Sequence, residues 1–199
     1  MATQENSRPL QLPEAYQEVL YWRLSDHKRL LVILNVVGIL TMGVMLVAFM
    51  AWAQRWRPLQ MGIFNALQLL AILAMAVLTV VAHELVHGLA LRCYGARPAY
   101  GVLWSGMMFY ATAAGHAFPR NAYLVIALAP LVGLSLVALG VLALPLPGWL
   151  TFAVVLCAAF NVGSAWGDLW LVRTALHYPR VAYIVDEKDG MRVFLPVEG

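Results

Sequence analysis

Charge is what this sequence is shortest of. Only 12% of its residues are charged, against about a quarter in a typical water-soluble domain. Between Asp26 and Asp186 the only carboxylates are Glu84 and Asp168. A chain so poor in charge cannot cover itself for water, which excludes an ordinary soluble enzyme. The net charge of +3 gives no reason to expect a nucleic-acid partner. Cysteine is scarce too: Cys93 and Cys157 form neither a ligand spacing nor a disulfide framework, and both read as packing residues. Residues 1 to 29 are polar and no cleavable leader is expected, although Ala51-Trp52-Ala53 imitates a cleavage site.

Hydrophobic residues are what the chain has instead, 62% of it. They gather in four blocks, about 30–53, 61–93, 122–144 and 149–176. Each reaches the ~20 residues that cross a bilayer as a helix. Open backbone groups are not tolerated in lipid, so the blocks should be helical whatever their periodicity. All but two of the thirteen Lys and Arg residues, Arg55 and Arg57, fall on one side of a four-span topology, Arg8 among them. That bias places both termini in the cytoplasm, with a bacterial-type plasma membrane as the expected location. The lipid bilayer is the first partner this implies.

Two further segments read as strands. Residues 99–116, rich in Val, Trp, Met, Phe and Tyr, fit one or two strands, and Val181 to Leu195 alternates around Asp186-Glu187-Lys188-Asp189-Gly190 as a hairpin. Residues 10–25 are expected to form an amphipathic interfacial helix with Leu12, Tyr16, Val19, Leu20 and Trp22 toward lipid. The predicted fold is an all-α membrane protein. It is a four-transmembrane-helix bundle with a short cytoplasmic β segment between helices 2 and 3 and a C-terminal β-hairpin, in one domain over residues 1–199.

Within the second block stands His83-Glu84-Leu85-Val86-His87-Gly88. Residues four apart on a helix share a face, so His83 and His87 can converge on one metal ion, with Glu84 about 100° around from His83. That suits a carboxylate that takes a proton from metal-bound water rather than binding the metal. Three ionisable groups within five buried positions need a stronger reason than packing.

Catalytic zinc takes three protein ligands and keeps one position open. Asp168 is the candidate third ligand, because it lies at the same membrane depth as His87, roughly 9 to 12 Å from the cytoplasmic end of its span. Its rivals are an ion pair of Asp168 with Arg173, a helix cap, and His116 as the alternative ligand. Asn161, seven residues before Asp168, shares its face and could bind substrate backbone or orient a ligand. Two neutral imidazoles, one aspartate and a hydroxide would leave a single zinc ion formally neutral, which a low-dielectric site holds best. Peptide-bond hydrolysis is the reaction this favours, with Glu84 as the proton acceptor.

These residues resemble a family of integral-membrane zincin peptidases and, more distantly, the site-2 proteases. The anchors are His83, Glu84, His87, Gly88, Asn161, Gly167 and Asp168, with Ala129-Pro130 as weaker support. The resemblance implies ligand roles for His83, His87 and Asp168, a catalytic role for Glu84, and a membrane-protein or peptide substrate. One departure stands out: site-2 proteases place glycine after the aspartate and prolines before it, whereas here Gly167 precedes Asp168 with no proline nearby.

Two other functions fit parts of the pattern. A metal or ion transporter would need polar residues continuing across the membrane, and beyond the site the spans offer Asn65, Gln68 and Asn161. A catalytically inactive scaffold is opposed by the intact Glu84.

Overall fold

The computed structural model describes residues 12–13, 15–56, 58, 62–103 and 108–197. Arg8, Arg57 and Met61, which bear on the topology and the block boundaries, lie outside them, as do residues 104–107 of the predicted strand region and positions 10, 11 and 14 of the predicted interfacial helix. In chain order the elements are β1 (Tyr16–Arg23), a 3-10 turn (Leu24–Asp26), α1 (Lys28–Gln54), α2 (Ala66–Cys93), β2 (Ala99–Leu103), β3 (Met108–Thr112), β4 (Ala117–Pro119), α3 (Arg120–Leu142), α4 (Gly148–Ser164), α5 (Trp166–Leu176), β5 (Tyr183–Glu187) and β6 (Gly190–Pro196).

Among the described residues, four helices are long and apolar enough to cross a membrane: α1, α2, α3, and the stretch Gly148–Leu176 that contains α4 and α5. That stretch is not one straight rod. Ala165, with φ −75° and ψ 5°, ends α4, and α5 starts at the next residue. The second span begins at Ala66 because Asn65 caps it. The Gln68 backbone N–H donates to Asn65 Oδ1 at 2.9 Å and the Asn65 backbone N–H donates back to Gln68 Oε1 at 3.0 Å, a reciprocal capping box.

The strands correct two expectations. The fold is mostly helical as expected but holds more strand than a β segment and a hairpin: β1, β6, β5 and β4 form a four-stranded antiparallel sheet in that order, and among the described residues β2 pairs with β3 alone. Residues 16–23 form a strand where an interfacial helix was expected. Its run of Tyr, Val, Leu, Tyr and Trp suits a pleated, half-buried surface, and β6 supplies the backbone partners from Tyr16↔Pro196 to Arg23↔Gly190, with a bulge between Glu18 and Leu20. Arg192 on β6 pairs with Glu18 on β1. The C-terminal hairpin is present as β5–β6, with Glu187↔Gly190 closing it. In its turn Asp189 accepts from Arg23 Nε and from the Ser25 backbone N–H, each at 3.3 Å. Burial works against ionisation there, yet these bonds and the Arg23 charge hold the Asp189 carboxyl below its ordinary range.

The chain divides into two compact units. One comprises Met1–Leu31, Glu84–Ala129 and Asp168–Gly199 and holds all the strands. Its core gathers Leu91, Phe118, Tyr123, Ile126, Ala175, Ile184, Met191 and Val193. The other comprises Val32–His83 and Pro130–Gly167 and is helical. There Phe49, Ala53, Leu142, Val155 and Ala159 pack together, and Gly38 of α1 lies against the carbonyl of Gly163 on α4. Trp166 Nε1–H donates to Thr41 Oγ1 at 2.9 Å. Ile39, Leu40, Val44 and Val47 of α1 remain exposed, the surface a lipid-facing helix presents.

Candidate metal centre

Helix α2 carries His83 and His87 one turn apart, and α5 carries Asp168 in its first turn. One ligand atom from each of the three lies within 4.8 Å of the other two. His87 Nε2 and Asp168 Oδ1 are 3.4 Å apart. Two ligands on one tetrahedral zinc, each at ~2.0–2.1 Å, would stand about 3.3 Å apart. Donor set and spacing therefore fit zinc, with Nε2 of His87 and a carboxylate oxygen of Asp168 as natural ligand atoms.

The other ring nitrogens are held. His87 Nδ1 is 3.0 Å from the carbonyl oxygen of Ile126. A carbonyl can only accept, so Nδ1 carries a hydrogen, and Nε2, facing Asp168, is the nitrogen that could give a lone pair to a metal. His83 Nδ1 is 2.9 Å from Asn161 Oδ1, and the other end of that amide donates to the Pro130 carbonyl at 3.4 Å. Pro130 fixes which way the Asn161 amide points. The amide in turn fixes His83 as an Nδ1–H tautomer. His83 is 9% exposed and Asn161 1%, so water does not compete for these bonds.

Glu84 is partly buried on α2 and close enough to His87 to act on it electrostatically. It is not in the ligand group. His116 is not in it either: its ring lies against Phe118, tilted by 43° with centroids 4.5 Å apart. Arg173 lies over the Trp170 ring, 5.2 Å from its centroid.

Several residues beyond the candidate ligands shape this region. Gly88 follows His87, and a Cβ there would fall on the Tyr100 hydroxyl. Glycine at 88 thus lets β2 sit directly against the turn that bears His87. Asp186, on β5, accepts from Tyr123 Oη at 3.3 Å, and its backbone carbonyl accepts from Thr112 Oγ1 at 2.9 Å. Desolvation pushes its carboxyl up to about 7, with the His87 charge and hydrogen bonds from Thr112 and Tyr123 pulling the other way. The main-chain carbonyls of Ile126 and Pro130 leave no side-chain signature, and only the proline itself marks that part of α3.

The model of the family described as "Putative zincin peptidase" matches residues 76–183. The chain belongs to this family. The matched stretch contains His83, Glu84, His87, Asn161 and Asp168, and zincin membership implies the metal that the donor set fits. No curated protein and no solved structure matches the chain.

Proposed function

We propose that this zincin is a zinc-dependent peptidase embedded in the membrane, hydrolysing peptide bonds of membrane or membrane-proximal substrates. The observation that carries the reading is the convergence of His83, His87 and Asp168 on helices apolar enough to lie in a bilayer. Zinc held there would polarise the scissile carbonyl and bring the pKa of a bound water toward ~7. Glu84, beside the ligands on the same helix, takes the proton from the attacking water and returns it to the leaving amine. Asn161 and the Ile126 carbonyl keep the two imidazoles from rotating as charge shifts around them.

The transporter alternative loses its remaining polar residues. Asn65 and Gln68 are engaged in the cap of α2, and Asn161 holds His83. A substrate chain must be extended for its carbonyls to be attacked, and the β2–β3 ribbon has no further strand on either outer edge among the described residues. An extended segment pairing with that edge would lie beside Gly88 and His87, where Tyr100 seats the ribbon. Proline at Val102 or Tyr110 should then impair cleavage while the chain stays folded. Unchanged cleavage would discard the edge as a docking strand. The pairing of β1 with β6 supports termini on one side of the membrane, and the Lys and Arg distribution assigns that side, with the metal group toward it, to the cytoplasm.

The decisive experiment is metal analysis and proteolysis by detergent-purified wild type, Glu84→Gln and Asp168→Ala. A peptidase of this design binds one zinc, keeps it in Glu84→Gln with activity abolished, and holds it weakly in Asp168→Ala. Full zinc occupancy in Asp168→Ala would remove Asp168 from the ligand set.

A further inference from the structure

We propose that Pro130 is a positioning residue of the metal centre, because its missing N–H leaves the Ile126 carbonyl for His87. The inference rests on the zinc-peptidase function proposed for this chain and adds what sets the ligand geometry. In an α-helix the carbonyl of one residue is taken by the N–H four residues on. Four residues beyond Ile126 in α3 is Pro130, which has no N–H to give. The carbonyl so released is the one 3.0 Å from His87 Nδ1. An ordinary residue at 130 would offer that carbonyl a rival donor from its own helix.

The same proline acts a second time through its own carbonyl. Asn161 Nδ2 donates to it at 3.4 Å, which turns Asn161 Oδ1 toward His83 Nδ1 at 2.9 Å. Both candidate histidine ligands therefore take their tautomer from one turn of α3, one directly and one through an amide. Pro130 and Asn161 are fully buried and Ile126 is 3% exposed, so no solvent molecule is at hand to replace either partner. A proline inside a membrane helix is tolerated where a neighbouring group satisfies the released carbonyl. Here that group is the imidazole of a metal ligand.

The test is the zinc affinity of the detergent-purified protein, read by competition with a chromophoric chelator. Three forms are compared: wild type, Pro130→Ala, and a chain carrying lactic acid at position 130. The last has alanine's methyl group but an ester oxygen in place of the N–H. Alanine gives Ile126 its helical donor back, so zinc affinity should fall by about 10- to 100-fold, the range for losing an outer partner of a ligand histidine. Metal-free Pro130→Ala should be no less stable to heat than wild type, since it gains a helical hydrogen bond. The ester, lacking the donor, should restore zinc affinity.

Unchanged affinity in Pro130→Ala, or equal loss in alanine and ester, would overturn the proposal and leave Pro130 as a bend in the helix. Should Pro130→Ala fail to fold, nitrogen-15 spectra of His87 in zinc-loaded wild type decide the matter. Hydrogen on Nδ1 is expected, and hydrogen on Nε2 overturns it. A wild type that binds no zinc would overturn both this inference and the function it rests on, whereas zinc binding insensitive to position 130 removes this one alone.

Discussion

Asn161 has both ends of its amide committed, one to His83 and one to the Pro130 carbonyl. Replacing it with leucine keeps the bulk and leaves His83 Nδ1 without that acceptor. Zinc affinity should drop by about 10- to 100-fold, measured by chelator competition, with the helical content unchanged. Asp186 makes a different prediction. Its carboxyl is raised from 3.8 to about 7 by desolvation, so the folded chain keeps a proton that the unfolded chain has released across that interval. The stability tied to this proton is complete below about pH 4 and is lost as pH rises through about 7. Asp186→Asn cannot ionise, so it should gain on wild type across the window by up to a few kcal/mol, at ~1.4 kcal/mol for each tenfold change in proton affinity. Denaturant unfolding of the metal-free protein at both ends of the window reads this, and a gap independent of pH would contradict it. At this scale spacing alone marked His83, Glu84 and His87 as candidates, and the scarcity of acids marked Asp168, which the structure brings to the two histidines. It could not show that Asp186, eighteen residues beyond Asp168 and read only as part of a turn, comes near His87. Nor could it show a main-chain carbonyl as a partner, because a carbonyl is the same at every position.

Between elements, Gly38 on α1 and Gly163 on α4 let two helix backbones meet. A Cβ on Gly38 would meet the Gly163 carbonyl, and one on Gly163 would meet both the Gly38 carbonyl and Met42 Cβ. Backbone cannot swing aside as a side-chain tip can. Gly38→Val should therefore lower stability by about 1–3 kcal/mol, the usual cost of overpacking, seen as earlier thermal unfolding in detergent. Gly43→Val, on the same helix with open space at its Cβ, should change little, and equal effects at both sites would refute the close-packing account. The break at Ala165 was not legible in the sequence, since nothing in Ser164-Ala165-Trp166 is a helix breaker. β1 misled for a related reason. Leu12, Tyr16, Val19 and Leu20 recur at helical spacing, while the strand that decides their conformation, β6, enters the chain about 170 residues later.

For the whole molecule, hydropathy carried most of the information. Four apolar blocks became four candidate spans with ends shifted by a few residues, because a bilayer dictates length and helicity so strongly. The four-stranded sheet was legible only in its β5–β6 half, since register between distant strands leaves no local mark. Topology gives the prediction at this scale. Impermeant thiol reagents applied to intact cells should fail to label single cysteines placed at Ser25 and Lys188 in a chain cleared of Cys93 and Cys157, and should label one at Arg55. Labelling of Ser25 but not Lys188 would be incompatible with β1 lying beside β6.

That pairing also orders events during synthesis. β6 stands between β1 and β5 in the sheet, yet it is the last of the described elements. Residues 16–23 leave the ribosome early and have no backbone partner until residues 190–196 emerge. Until Gly190 is made, β1 is thus an open strand edge joined through one short turn to α1.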